Sequence, residues 1–193
     1  MARIALVVTV AGAMIMWGAA AASAKECKGA NFPDQVQVAG SALALNGLGL
    51  RQATVFKVNV YVAGLYVTQT SADANTILEA KSPKQLSLHF LRDVGSGDLN
   101  KAWDEGFAIN AKDQLPALQE RIAKLKSWIV DMKKDQRLSF TYTPAAGTEV
   151  AVDRAAKGTI AGDDFAKALL SIWLGPKPPN PGLKTGLLGG ACS

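Results

Sequence analysis

The chain has 193 residues, 49% of them hydrophobic and 19% charged, with a formal net charge of +5, two cysteines and a single histidine. That is enough chain for one domain with its own core. The lysines are scattered without interleaved aromatics, which excludes a nucleic-acid footprint, and one histidine cannot build a multi-histidine metal site.

Arg3 precedes the apolar run "IALVVTVAGAMIMWGAA", and "AAASA" follows with small residues at Ala22 and Ala24. A charged start, an apolar core and an A-x-A site predict a secretory signal, residues 1–24, cleaved after Ala24. The domain expected to remain is 25–193, exported to the periplasm or beyond. An uncleaved anchor is the alternative. The run is short of the ~20 residues a bilayer span needs and no stop-transfer segment follows, so no stable membrane insertion is expected after cleavage. Cys27 and Cys192 stand at the two ends of that domain. In an oxidising compartment they are expected to pair with each other, two free thiols being the alternative. Closing so long a loop contributes roughly 4–5 kcal/mol in the chain-entropy model.

"QVQVAGSALALNGLGL" alternates in two short runs and predicts a hairpin. In "LRQATVFKVNVYVAGLYV", Phe56, Val58, Val60 and Val62 share one parity, and Lys57, Asn59, Tyr61 and Ala63 the other. This is a strand with one apolar face, while the odd face loses polarity toward Leu65, as a face does that starts in solvent and ends under a cover. "SADANTILEA" predicts a short helix capped by Ser71 or Asp73, "QLSLHFLRDV" a strand, and "SGDLNKAWDEGFAIN" and "DQLPALQERIAKLKSWIVDM" two helices. "QRLSFTYT", "TEVAVDR" and "AKGTIA" read as three further strands. "GDDFAKALLSIWLG" reads as a helix from an Asp-rich cap, "PKPPNP" as a rigid break, and "GLKTGLLGG" as the close of the chain. Clustered strands with short connections around a helical middle predict an α+β fold with mainly antiparallel pairing.

The common chemical motifs are missing. There is no G-x-S-x-G elbow and no G-x-x-x-x-G-K-[ST] loop. "GLGLRQ" starts like a dinucleotide fingerprint but has Gln52 at the third glycine. Asp163 and Asp164 sit where helix caps belong, and His89 reads as an ordinary sheet histidine. No cofactor and no metal are expected.

"LNGLGLRQATVFKVNVYVAGLYV", "LHFLRDV" and "ALLSIWLGPKPPNPGLKTGLLG" together resemble the chalcone isomerase-like family, and most closely its exported bacterial branch. The resemblance implies an open-faced β-sandwich: a large antiparallel sheet, a helical layer on one face, and a ligand cleft between them. Its branches include plant isomerases that close a flavanone ring, plant members that hold a fatty acid with an arginine and a tyrosine, and non-catalytic partner proteins. Arg51 matches the shared arginine. Tyr61, three residues before Gly64, stands where the isomerases have threonine and the fatty-acid binders tyrosine. The isomerases' helix-borne tyrosine and asparagine fall on Leu99 and Gly106, and their late threonine or serine on Ser171 or Ile172.

The preferred expectation is an exported, non-enzymatic binder of a fatty acid or similar amphipathic carboxylate, with Arg51, Tyr61 and Ser171 as ligand-binding residues. An arginine fork suits a carboxylate held by two bonds, and a tyrosine offers a ring to the tail and a hydroxyl to the head. Against this stands Arg51 paired with an internal carboxylate such as Asp93. Two other readings remain open: an intramolecular lyase of the isomerase type acting on a phenolic enone, and a protein whose cleft is vestigial and whose "WLGPKPPNP" surface docks a protein partner.

Overall fold

The computed structural model describes residues 23–193; residues 1–22, with most of the predicted export signal, lie outside the described residues. Nine strands and five helices follow in order: β1 (Ala24–Cys27), β2 (Ala30–Pro33), β3 (Gln35–Val38), β4 (Ser41–Ala53), β5 (Val58–Val67), α1 (Ala74–Glu79), β6 (Lys84–Phe90), α2 (Ser96–Asn110), α3 (Leu115–Ser127), β7 (Arg137–Thr143), β8 (Gly147–Val152), β9 (Ala155–Ile160), α4 (Asp163–Leu174) and α5 (Pro181–Leu187). Strands β3 to β9 form one antiparallel sheet in chain order, and β1 and β2 form a separate hairpin. The fold is the expected α+β open-faced β-sandwich. The helical layer covers one sheet face, and the β1–β2 hairpin packs on part of the other.

Alternation along β5 explains the two layers. Tyr61, Ala63, Leu65 and Val67 point into the core shared with α2, α3 and α4. Val62 and Tyr66 join Phe32, Leu43, Leu48 and Leu50 beneath the hairpin. Gly64 shares the parity of Val62 and Tyr66 and so lies on the hairpin side, where a side chain would strike the Phe32 ring at 2.5 Å. A disulfide joins Cys27 in that hairpin to Cys192, so the two ends of the described residues lie side by side.

Strand β4 changes sides midway, and that change positions the site. Leu43 and Leu45 are odd-numbered and face the hairpin, whereas further along the even-numbered Leu48 and Leu50 do so. The switch is a β-bulge at Asn46, between the pairs Leu45–Tyr66 and Gly47–Leu65. A bulge inserts one residue on one strand and so reverses the parity beyond it. Asn46 fixes the bulge with its amide, donating to the Leu187 and Ser71 carbonyls at 2.8 and 3.0 Å and accepting from the Ser71 N–H at 2.8 Å. Gly47, Gly49 and Arg51 thereby turn toward the helical layer.

Several expectations are corrected. Arg51 lies inside the 13-residue strand β4, separate from the strand β5 that carries Tyr61. Phe56 belongs to the turn between β4 and β5, and the strand starts at Val58. "GLKTGLLGG" contains a helix, α5, laid against the helix-side face of β4. Its approach is so close that a Cβ on Gly47 would meet the Gly186 carbonyl at 2.1 Å and one on Gly186 the Leu48 carbonyl at 2.2 Å. The glycines of "GLGLR" serve this backbone contact. The N-cap of α4 is Gly162, with φ 106°, and the two aspartates follow in the first turn.

Candidate ligand-binding cleft

Across β4 and β5, Arg51 and Tyr61 are direct register partners. Directly opposed residues share a sheet face with Cβ atoms about 5 Å apart. Both face the helical layer, and both line a cavity of about 600 Å³ between the sheet and helices α2 and α4. Immediately beyond this pair β5 carries a second bulge, at Val60, which brings Val60 onto the helix side as well. Leu88, Leu99, Trp103 and Ile172 supply buried apolar wall, while Ile109 and Lys177 stand exposed at its edge.

The half-buried Arg51 is held by backbone alone. Its Nη1 donates to the Pro179 carbonyl at 3.1 Å and to the carbonyl of Gln52. It makes no ion pair among the described residues. Asp93, which also lines the cavity, accepts instead from Lys133 Nζ at 3.0 Å and from the Lys134 N–H at 2.9 Å. Those bonds hold its carboxyl below the usual carboxylate range. The internal partner considered for Arg51 is therefore taken by another cation.

Tyr61 is fixed from the other side. The indole N–H of Trp173 on α4 donates to its hydroxyl at 2.9 Å, and Phe90 meets its ring edge-on with centroids 5.7 Å apart. The hydroxyl acts as acceptor in this bond, and its own proton has no acceptor among the described residues. Burial pushes the Tyr61 pKa up, against the opposing pull of the Trp173 bond and the Arg51 charge. The phenol stays neutral and keeps a proton to donate.

The "PKPPNP" segment closes the cleft onto β4. Asn180 works as a short substitute strand, donating to the Leu50 carbonyl at 3.0 Å and accepting from the Gln52 N–H at 3.2 Å. Asn110, at the end of α2, grips the segment's other end through the backbone of Lys177. Of "WLGPKPPNP" only Pro176, Lys177 and Pro181 are exposed, and most of this stretch is occupied in building the cleft.

Ser171 does not line the cavity. It is buried on another face of α4 and its hydroxyl donates to the Ala168 carbonyl at 2.6 Å within the helix. The wall position belongs to Ile172, one residue and about 100° of helix further on. Trp173 went unidentified from the sequence, since nothing in the α4 periodicity separates an indole that orients Tyr61 from one that fills the core. His89 faces the hairpin side, edge-on to Phe32 with centroids 6.5 Å apart, remote from the cleft. Among the described residues no group of three or more metal-ligating side chains converges, and no helix is long and apolar enough to cross a membrane.

Residues 24–189 match a family model described as chalcone isomerase-like. Among solved structures, a fatty-acid binding protein of Arabidopsis thaliana superposes with a TM-score of 0.71 over 86% of this chain and 96% of its own, at 15% sequence identity. No curated protein matches the sequence. The neighbour's likeness speaks for the fold, and the family match covers most of the domain. The chain belongs to the chalcone isomerase-like family.

Proposed function

We propose that the protein is an exported, non-enzymatic carrier or receptor for a fatty acid or similar amphipathic carboxylate. In this reading the carboxylate sits between Arg51 and Tyr61, and the tail runs along Leu88, Leu99, Trp103 and Ile172. The observation that carries it is the unmatched donor capacity of an opposed Arg51–Tyr61 pair at the wall of a 600 Å³ cavity. That volume falls within the ~300–1,000 Å³ of small-molecule sites. The fatty-acid binding named for the Arabidopsis neighbour agrees with it.

Magnitudes divide the work. Each buried methylene is worth ~0.8 kcal/mol, so a tail of ~12 carbons has a gross drive near 9 kcal/mol. Each charge-assisted hydrogen bond adds about 1.5–3 kcal/mol. The tail supplies affinity, and Arg51 and Tyr61 decide which end enters. The isomerase reading finds less support: the two positions where that chemistry places a phenol and an amide, Leu99 and Gly106, line this cavity and bring no polar side chain to it.

Extraction of the protein purified after export, followed by mass spectrometry, tests the proposal. A co-purifying long-chain carboxylate, lost in Arg51→Gln, is expected. A lipid-free protein that takes up no fatty acid on titration would refute it.

A further inference from the structure

The turn joining β4 to β5 is built against the usual rules. Its residues, Thr54, Val55, Phe56 and Lys57, include none of the Gly, Pro, Asn, Asp or Ser that normally make turns. Thr54 and Lys57 take positive φ, 61° and 51°, an uncommon choice for side chains of their size. The turn is nonetheless well closed: Lys57 N–H donates to the Thr54 carbonyl at 3.2 Å, and Gln52 Nε2 bridges to Asn59 Oδ1 at 3.0 Å. Its effect is to hold Val55 and Phe56 out in water, 90% and 85% exposed.

Isolated surface hydrophobics are ordinary, but these are not isolated. Ala53 and Val60, at the base of the turn, both line the cavity. At ~3.4 Å per residue the tip stands within about 7–10 Å of the cleft wall. Four large hydrophobic residues are conspicuously exposed among those described, and a third, Ile109, also lines the cavity. Lys57 in the turn and Lys177 at the cavity edge add exposed positive charge, on a chain of net charge +5.

We propose that this tip docks the protein on an anionic bilayer, with Val55 and Phe56 entering the interface and Lys57 and Lys177 meeting the headgroups. Two apolar side chains flanked by cations are the composition that seats a peripheral protein reversibly, with the apolar part as the larger contribution. Carboxylates on α2, Asp98 and Glu105, also line the cleft and keep the electrostatic part modest. Docking would set the cleft mouth against the membrane, so that a lipid passes between bilayer and cavity without crossing water. That purpose rests on the function proposed above; the docking itself does not.

Co-sedimentation with vesicles of phosphatidylglycerol and phosphatidylethanolamine, using protein purified after export, tests the docking. The expected result is binding that weakens at least about tenfold in the Val55→Ser/Phe56→Ser double variant and several-fold in Lys57→Glu at low salt. The double variant should keep wild-type affinity for a fluorescent fatty acid in solution, because neither side chain lines the cavity. Arg51→Gln should do the reverse, keeping the vesicles and losing the fatty acid. Equal vesicle binding by wild type and double variant would overturn the inference, as would no vesicle binding at all. A photo-crosslinker at position 56 that captures a protein in place of lipid would also overturn it. Vesicle binding through the tip by a protein that takes up no fatty acid would uphold the docking and sink the cargo.

Discussion

The helix-covered face of the sheet carries two cation–tyrosine pairs, and they have opposite fates. Arg51 faces Tyr61 across β4 and β5, and Lys84 faces Tyr142 across β6 and β7. Lys84 is buried and fully occupied. Its Nζ donates to the Ile77 and Ala80 carbonyls at 2.7 and 2.6 Å, closing the C-terminal end of α1, and it lies 5.4 Å from the centre of the Tyr142 ring. The Tyr142 hydroxyl donates to Asp163 at 2.8 Å. The voids beside this pair are about 20 and 110 Å³, well below the 600 Å³ beside Arg51 and Tyr61. Trp173 lines both regions, filling space beside Lys84 and Tyr142 while orienting the hydroxyl of Tyr61. The contrast shows that composition does not make a site. In the proposed reading, a cation and a phenol serve a ligand where their donors are left unmatched and ample volume adjoins them.

The comparison can be broken by mutation at either end. Lys84→Ala is expected to have the largest effect on the fold, because it strands two carbonyls and opens packing under α1. A loss of about 2–4 kcal/mol in urea unfolding should come with fatty-acid affinity unchanged within about twofold. Arg51→Gln should do the opposite. Losing the charge-assisted bonds should weaken carboxylate binding by roughly 10–100-fold, with the unfolding midpoint moved far less than in Lys84→Ala because the carbonyls released are only half-buried. Comparable stability losses in both variants would erase the distinction. Tyr61→Phe is expected to fall between them. It should cost about 1 kcal/mol of affinity, read by titration, and a similar amount of stability, since the Trp173 N–H is left unpaired.

The pH dependence of stability sharpens the same comparison. Burial pushes the Lys84 pKa down to about 8, whereas an unfolded chain holds lysine near ~10.4. Between these values the unfolded chain keeps the proton that the folded protein has lost, so the contribution of Lys84 to stability rises with pH from about 8 to 10. The buried phenols act in the other direction. Burial holds the Tyr66 and Tyr142 pKa values up at about 12, so stability falls once unfolded tyrosine ionises above ~10. Subtracting the Lys84→Met profile from wild type isolates the rise. A difference that stays flat across that window would mean Lys84 is no less basic in the fold than in the unfolded chain.

Much of this was legible in the residues. Helix α2 coincides with "SGDLNKAWDEGFAIN", and the odd face of β5 does pass under a cover. What escaped was set by contacts distant in sequence. Helix α5 holds two glycines, which argue against a helix locally; Gly186 lets its backbone lie against β4, and Gly182 lets Ser193 pass close by. The β1–β2 hairpin is too short to show alternation, and its place is fixed by Phe32 packing and the link to Cys192. The boundary at Phe56 was misplaced because the turn has no turn-forming residue. Ser171 failed for a geometric reason: on a helix, an error of one residue changes the face. Arg51 and Tyr61 came together through the Asn46 bulge, which alternation counted along β4 does not reveal.

The central claim is that Arg51 and Tyr61 read a carboxylate. It is tested most directly by titrating the protein with dodecanoate and with dodecanol, which share a tail and differ in the head. Wild type is expected to prefer the acid by at least about tenfold, and Arg51→Gln to abolish the preference. Equal affinity of wild type for acid and alcohol, or a preference that survives in Arg51→Gln, would contradict it.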